Sequence, residues 1–125
     1  ALAMKAELSR LILFVDDIEK MSEFYEGVLG LDKLPGGSDG FVCFAAGASQ
    51  VCLHSLPAEY RSESGEYPKR EDTYVKFVFY SADVPADRQY LLDRGVRMNE
   101  TVRYGEIEVC DGADPEGNIF QISGR

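Results

Sequence analysis

The chain repeats itself, and that repeat constrains the fold more than any other feature of the sequence. Asp17-Ile18 and Asp83-Val84 stand 66 residues apart at the start of two helix-like stretches, and Gly30-Leu31 and Gly95-Val96 stand 65 apart at their ends. Each copy reads strand, helix, then three strands. In the first copy, residues 7–15 alternate with period two: Leu11, Leu13 and Val15 fall on one side of the pleat, and Arg10, Ile12 and Phe14 on the other. Asp16 is placed to cap the following helix, with Glu19 three residues on to complete a capping box. Ile18, Met21, Phe24, Tyr25, Val28 and Leu29 recur at helical spacing and predict one inward stripe, with Gly27 and Gly30 as stop positions. Strand-like runs at 31–34, 41–45 and 50–56, separated by the turn at 35–40 and by Gly47, predict an antiparallel meander.

The second copy restarts at Tyr74. Residues 74–80 place Val75, Phe77 and Phe79 on one face and Lys76, Val78 and Tyr80 on the other. Asp83 caps a helix that has Pro85 in its first turn, Tyr90, Leu91 and Leu92 as apolar positions and Gly95 as its stop. Strands are predicted at 96–100, 104–110 and 119–123, the last two joined through the turn Asp114-Pro115-Glu116-Gly117-Asn118. Residues 57–73, polar and holding Pro57, Gly65 and Pro68, read as a linker or flap. The expected organisation is a disordered tag remnant and N-terminus over 1–7, then one domain over 8–125. Within it, module one spans 8–55, the linker or flap 56–73, and module two 74–123.

Composition narrows the function classes. With 13 Lys+Arg against 22 Asp+Glu the net charge is −9 at pH 7, and no basic stripe exists, so nucleic acid is excluded as a partner. Seven tyrosines and seven phenylalanines in a chain that is 45% apolar suit a packed core rather than a disordered acidic chain. No apolar run approaches the ~20 residues of a membrane span and no signal peptide is visible, so a cytoplasmic protein without a membrane partner is expected. Cys43, Cys52 and Cys110 are odd in number and form no CxxC; they are expected to be reduced thiols. His54 is the only histidine. Cys52 and His54 share a strand face without any sign of an activated thiol, Glu106 and Glu108 share another, and no GxGxxG phosphate loop is present.

Phe24-Tyr25 followed by Val28-Leu29-Gly30-Leu31, the strand ending Phe14-Val15-Asp16-Asp17, and Asp114-Pro115-Glu116-Gly117-Asn118 leading into an apolar strand together resemble the vicinal oxygen chelate superfamily. That superfamily holds glyoxalase I, extradiol dioxygenases, fosfomycin-resistance enzymes and bleomycin-resistance proteins. The resemblance implies an α+β fold of two tandem βαβββ modules forming a curved mixed sheet around a cavity, and a homodimer. In its metal-dependent members, ligands project from positions that correspond to Arg10, Cys52, Lys76 and Gln121 here. Arg and Lys lend no lone pair to a cation, and Gln is a weak neutral donor. A catalytic zinc takes about three protein ligands, which one histidine and these neighbours do not supply.

The expectation is therefore a small-molecule binding protein with no metal and no cofactor, rather than an enzyme. Arg10 and Lys76 would meet an anionic or carboxylate ligand, His54 and Gln121 would hydrogen-bond it, and Ile12, Phe14, Val78, Tyr80 and Cys52 would complete the wall. Alternatively, Arg10 and Lys76 pair with acids such as Glu106 or Glu108. The rival function is a metal-dependent lyase or dioxygenase of the same superfamily.

Overall fold

The structure, a computed structural model, describes residues 4–125; residues 1–3, part of the expected tag remnant, lie outside the described residues. The chain divides into two compact units, one ending at Glu63 and the other beginning at Ser64. The first is a βαβββ module and the second repeats the plan with one strand more, and the class is α+β, as the resemblance implies. Hydrogen bonding makes two sheets, one per unit.

In the first unit, β1 (Arg10–Val15) leads into α1 (Ile18–Ser22), and β2 (Asp32–Lys33), β3 (Phe41–Ala46) and β4 (Ser49–Ser55) follow. The sheet order is β1-β4-β3-β2, with β1 parallel to β4 and the other pairs antiparallel. Alternation along β1 buries Val15 and leaves Ile12 and Phe14 exposed on the opposite face. Met21, Phe24 and Tyr25 are buried on the helical side, as are Val51 and Leu53 of β4, the strand that α1 meets, and Phe44 of β3.

Two expectations for this helix are corrected. Asp17, not Asp16, is the cap: its carboxylate accepts from Lys20 N at 3.0 Å, while the Asp16 carboxylate accepts from Ser62 N at 2.8 Å. After Ser22 the helix widens into a π-helical stretch, Glu23–Val28, closed by a Leu29 N to Phe24 O bond of 2.9 Å. The wider turn lets the consecutive Phe24 and Tyr25 both point inward, where their rings meet edge to face at 5.1 Å.

The second unit repeats the plan with β5 (Phe77–Tyr80), α2 (Val84–Asp93), β6 (Arg97–Met98), β7 (Val102–Tyr104), β8 (Ile107–Ala113) and β9 (Ile119–Ser123). β5 runs parallel to β9, β8 pairs antiparallel with β9 and β6, and β7 also pairs with β8. Asp83 caps α2 as expected, accepting from Ala86 N at 3.1 Å; it is the 66-residue counterpart of Asp17. The strand predicted over 104–110 is instead a hairpin. Gly105 (φ +64) opens a two-residue turn with Glu106, so β7 and β8 are separate strands. Glu106 therefore sits in a turn and does not share a strand face with Glu108, which pairs with Arg103 at 3.6 Å.

The thiol expectation is also corrected. Cys43 and Cys52 are joined by a disulfide, and only Cys110 is free. The β3–β4 register places the two residues directly opposite each other across the hairpin that turns at Gly47-Ala48. Alkylation of unfolded, unreduced protein is accordingly expected to label Cys110 alone, and labelling after reduction to reach all three cysteines. Intact-mass measurement reads the difference; three labels without reductant would contradict the pairing.

Candidate functional site

Each unit turns one face of its sheet away from its helix, and the sequence-derived site residues stand on those two faces. In the first unit the register resolves that face into rows. Arg10 pairs with Gln50 and Gln50 with Ala45; Ile12 with Cys52 and Cys52 with Cys43; Phe14 with His54 and His54 with Phe41. Along β1 the face thus grades from a guanidinium, through an aliphatic and disulfide centre, to an aromatic end. The His54 ring lies 5.3 Å from that of Phe14 and 5.8 Å from that of Phe41. Its Nδ1 is 3.1 Å from the Ser55 carbonyl oxygen, a hydrogen bond that needs the proton on Nδ1. Arg10 and His54 are exposed, whereas Cys52 is wholly buried and bound to Cys43.

In the second unit the corresponding face carries different chemistry. Val78 pairs with Gln121 and Gln121 with Asp111, the counterparts of Ile12, Cys52 and Cys43. Where the first unit has a disulfide, the second has a polar clasp. Lys76, just before β5, donates to Asp111 Oδ2 at 2.7 Å, and Gln121 Nε2 donates to Asp111 Oδ1 at 3.0 Å. Val78 and Tyr80 are exposed, and the Arg125 guanidinium lies 4.1 Å over the Tyr80 ring. The Lys76 charge is therefore met within its own unit, by Asp111 and not by Glu106 or Glu108.

A cleft of about 430 Å³ opens beside this clasp, lined among others by Glu71, Thr73, Lys76, Asn99, Asp111 and Ile119. Of the expected site residues it takes in Lys76 alone. Burial pushes the Cys110 thiol up, against the opposing pull of the Arg88 guanidinium, and the thiol donates to Asn99 O at 3.1 Å. It is a neutral core group rather than a nucleophile.

The metal expectation can be tested on the donors themselves. The four positions where metal-dependent relatives carry ligands hold an exposed guanidinium, a disulfide sulfur, an ion-paired ammonium and an amide already bound to Asp111. Among the described residues no group of three or more His, Cys, Asp and Glu side chains is arranged to hold a metal ion. This donor set does not fit one.

Sequence reasoning missed Asp111, Gln50 and Phe41. Asp111 carried a signal, since alternation along 107–113 puts it on the face of Val109 and Ala113, and it is the only charged residue there.

A strand-helix-strands unit that occurs twice, each copy with an open sheet face bearing polar and aromatic side chains, defines a tandem-module α+β fold. The profile of the Glyoxalase/Bleomycin resistance protein/Dioxygenase superfamily matches residues 7–122, and the chain belongs to that family. Comparison with curated proteins gives no match. Among solved structures, the chain is similar to integron cassette protein VCH_CASS1 from the mobile metagenome of V. cholerae, at 26% identity and TM-score 0.72 over 99% of this chain and 98% of that one. It is similar in fold to TnmS3, an antibiotic-binding protein from Streptomyces sp. CB03234, at 19% identity and TM-score 0.75 over 98% of each chain. Lactoylglutathione lyase from Agrobacterium tumefaciens shares the fold at 19% identity and TM-score 0.72, over 95% of this chain and 93% of that one.

Proposed function

We propose that the chain is a small-molecule binding protein that captures its ligand without a metal ion or cofactor. One observation carries the reading: the side chains at the four ligand positions are cationic, oxidised or already hydrogen-bonded, so none offers an available strong donor to a divalent cation. A fold that catalyses by clamping two vicinal oxygens on a Lewis acid has no such clamp to use here. What the faces do offer is recognition: exposed rings at Phe14 and Tyr80, an exposed imidazole at His54, and a guanidinium at Arg10. The antibiotic-binding role of a protein with the same fold supports binding as a sufficient function for such a scaffold. A homodimer remains part of this reading, in a compartment whose redox poise allows the Cys43–Cys52 disulfide.

The test is ligand-induced thermal stabilisation across a panel of aromatic acids, amides and amines, run with and without a chelator. At a hundredfold excess over Kd a ligand adds about 2.7 kcal/mol of stability. Compounds that stabilise the protein are expected to do so equally with the chelator present. Stabilisation that vanishes with chelator and returns with a divalent metal would instead support a metal-dependent lyase or dioxygenase.

A further inference from the structure

We infer that the open face of the first unit recognises an elongated aromatic carboxylate, with Arg10 reading the acid and the Phe14–His54–Phe41 cluster taking the ring. This rests on the binding function proposed above and names its ligand class.

The rows of the register carry the inference. Arg10 and Gln50 form one end of the face, Ile12 and the Cys43–Cys52 disulfide its middle, and Phe14, His54 and Phe41 the other end. The order is charged, apolar, aromatic. A ligand complementary to it carries an anion, an aliphatic stretch and a ring in that order.

Arg10 is the only Lys or Arg in the register rows of this face. The chain holds 22 acidic residues against 13 basic, so an exposed cation has many chances of a partner. Lys69, Lys76, Arg88 and Arg103 each have one, whereas Lys5, Lys20 and Lys33, none of them on this face, are like Arg10 without an ion pair among the described residues. Among the described residues, no carboxylate pairs with the Arg10 guanidinium, and no hydrogen bond occupies it. Gln50, its register partner, adds an amide donor beside the same end. A planar fork of N–H donors next to an amide suits a carboxylate better than a point anion.

The aromatic end is equally specific. Phe14 is 60% exposed although its ring already meets that of His54, so one side of the cluster is covered and the other is free to stack. Phe14 lies four residue steps along the strand from Arg10, about 13 Å at 3.3 Å per step. The ligand must therefore reach from ring to carboxylate over roughly that length, less what the arginine side chain spans. The counterpart face in the second unit lacks this gradient, because Lys76 is held by Asp111 and Tyr80 lies under Arg125.

The probes are 8-phenyloctanoate, its primary amide 8-phenyloctanamide, and phenylacetate, each titrated calorimetrically into the full chain. The wild type is expected to bind the long acid about tenfold or more tighter than either the amide or the short acid. Arg10→Ala is expected to erase the acid-over-amide preference while leaving amide affinity in place, and Arg10→Lys to restore part of it. Phe14→Ala weakens acid and amide together. Arg103→Ala, which removes a cation engaged with Glu108, leaves the preference unchanged. Circular dichroism of each variant separates a lost fold from a lost contact.

Equal affinity of acid and amide for the wild type would overturn the carboxylate assignment while leaving the binding function standing. Loss of the preference in Lys76→Ala rather than Arg10→Ala would overturn the choice of face. If no probe binds the wild type, this ligand class is overturned, and the wider panel with chelator decides separately whether the chain binds small molecules.

Discussion

Asp114→Ala is expected to lower the unfolding free energy by about 4 kcal/mol, the largest effect of any single substitution considered for this chain. The Asp114 side chain is wholly buried. One carboxylate oxygen accepts from Glu116 N at 3.0 Å and Asn118 N at 2.9 Å, and the other accepts from Asn118 Nδ2 at 2.9 Å. Hydrogen bonds to a charged acceptor contribute about 1.5 kcal/mol or more each, and alanine leaves the three donors without this acceptor. The same turn sets the register of β8 against β9, and with it the opposition of Asp111 and Gln121. Urea unfolding measures the loss. Asp114→Asn, which keeps acceptor oxygen on one side only, should recover part of it. A change below about 1 kcal/mol would show that the turn holds its shape without the carboxylate.

Gly117→Ala is the second large effect, expected at about 3 kcal/mol. Gly117 has φ +85, where a side chain is strained, and a Cβ there would overlap the Pro68 carbonyl oxygen. That contact belongs to a strap. Arg70 N donates to Gly117 O at 2.8 Å, and Arg97 reaches Tyr67 O at 2.8 Å and Asp114 O at 3.2 Å. Residues 67–70 thus lie along the Asp114–Asn118 turn of their own unit rather than hanging as a loop. Alanine at 117 must push the strap off or distort the turn, because the obstruction is backbone. The expected readouts are a lower Tm and faster proteolytic cutting within 64–73. An unchanged cleavage rate would mean that the strap does not depend on this approach.

How much of this was legible in the sequence depended on how local the deciding interaction is. The repeat was legible because caps and stops are local: Asp17 and Asp83 both cap, and the glycines that end the two helices, Gly30 and Gly95, both take positive φ. The facing of Arg10, Ile12 and Phe14 away from Val15 followed from period two alone. The local pattern favoured Asp16 as the cap, through Glu19 three residues on, although the 66-residue repeat already aligned Asp17 with the cap Asp83. The fate of Lys76 was not legible. Its partner Asp111 is 35 residues away, and only the β5–β9–β8 order brings the two together.

The disulfide is the instructive miss. Cys43 and Cys52 are symmetric about Gly47-Ala48, so a two-residue hairpin turn already places them opposite each other. Counting cysteines and looking for CxxC weighed their number and spacing but not the register. The pairing also alters the candidate site, since the sulfur once considered beside His54 is bound to another sulfur.

The central claim, a ligand site that works with no metal, is tested most directly by metal stoichiometry. The purified protein is incubated in turn with zinc, nickel, iron and manganese, passed through gel filtration and analysed by plasma mass spectrometry. The arrangement of Arg10, the Cys43–Cys52 disulfide, the Lys76–Asp111 pair and Gln121 predicts well under one equivalent of any of them. One tightly held equivalent, lost in His54→Ala, Cys52→Ser or Gln121→Ala, would contradict it.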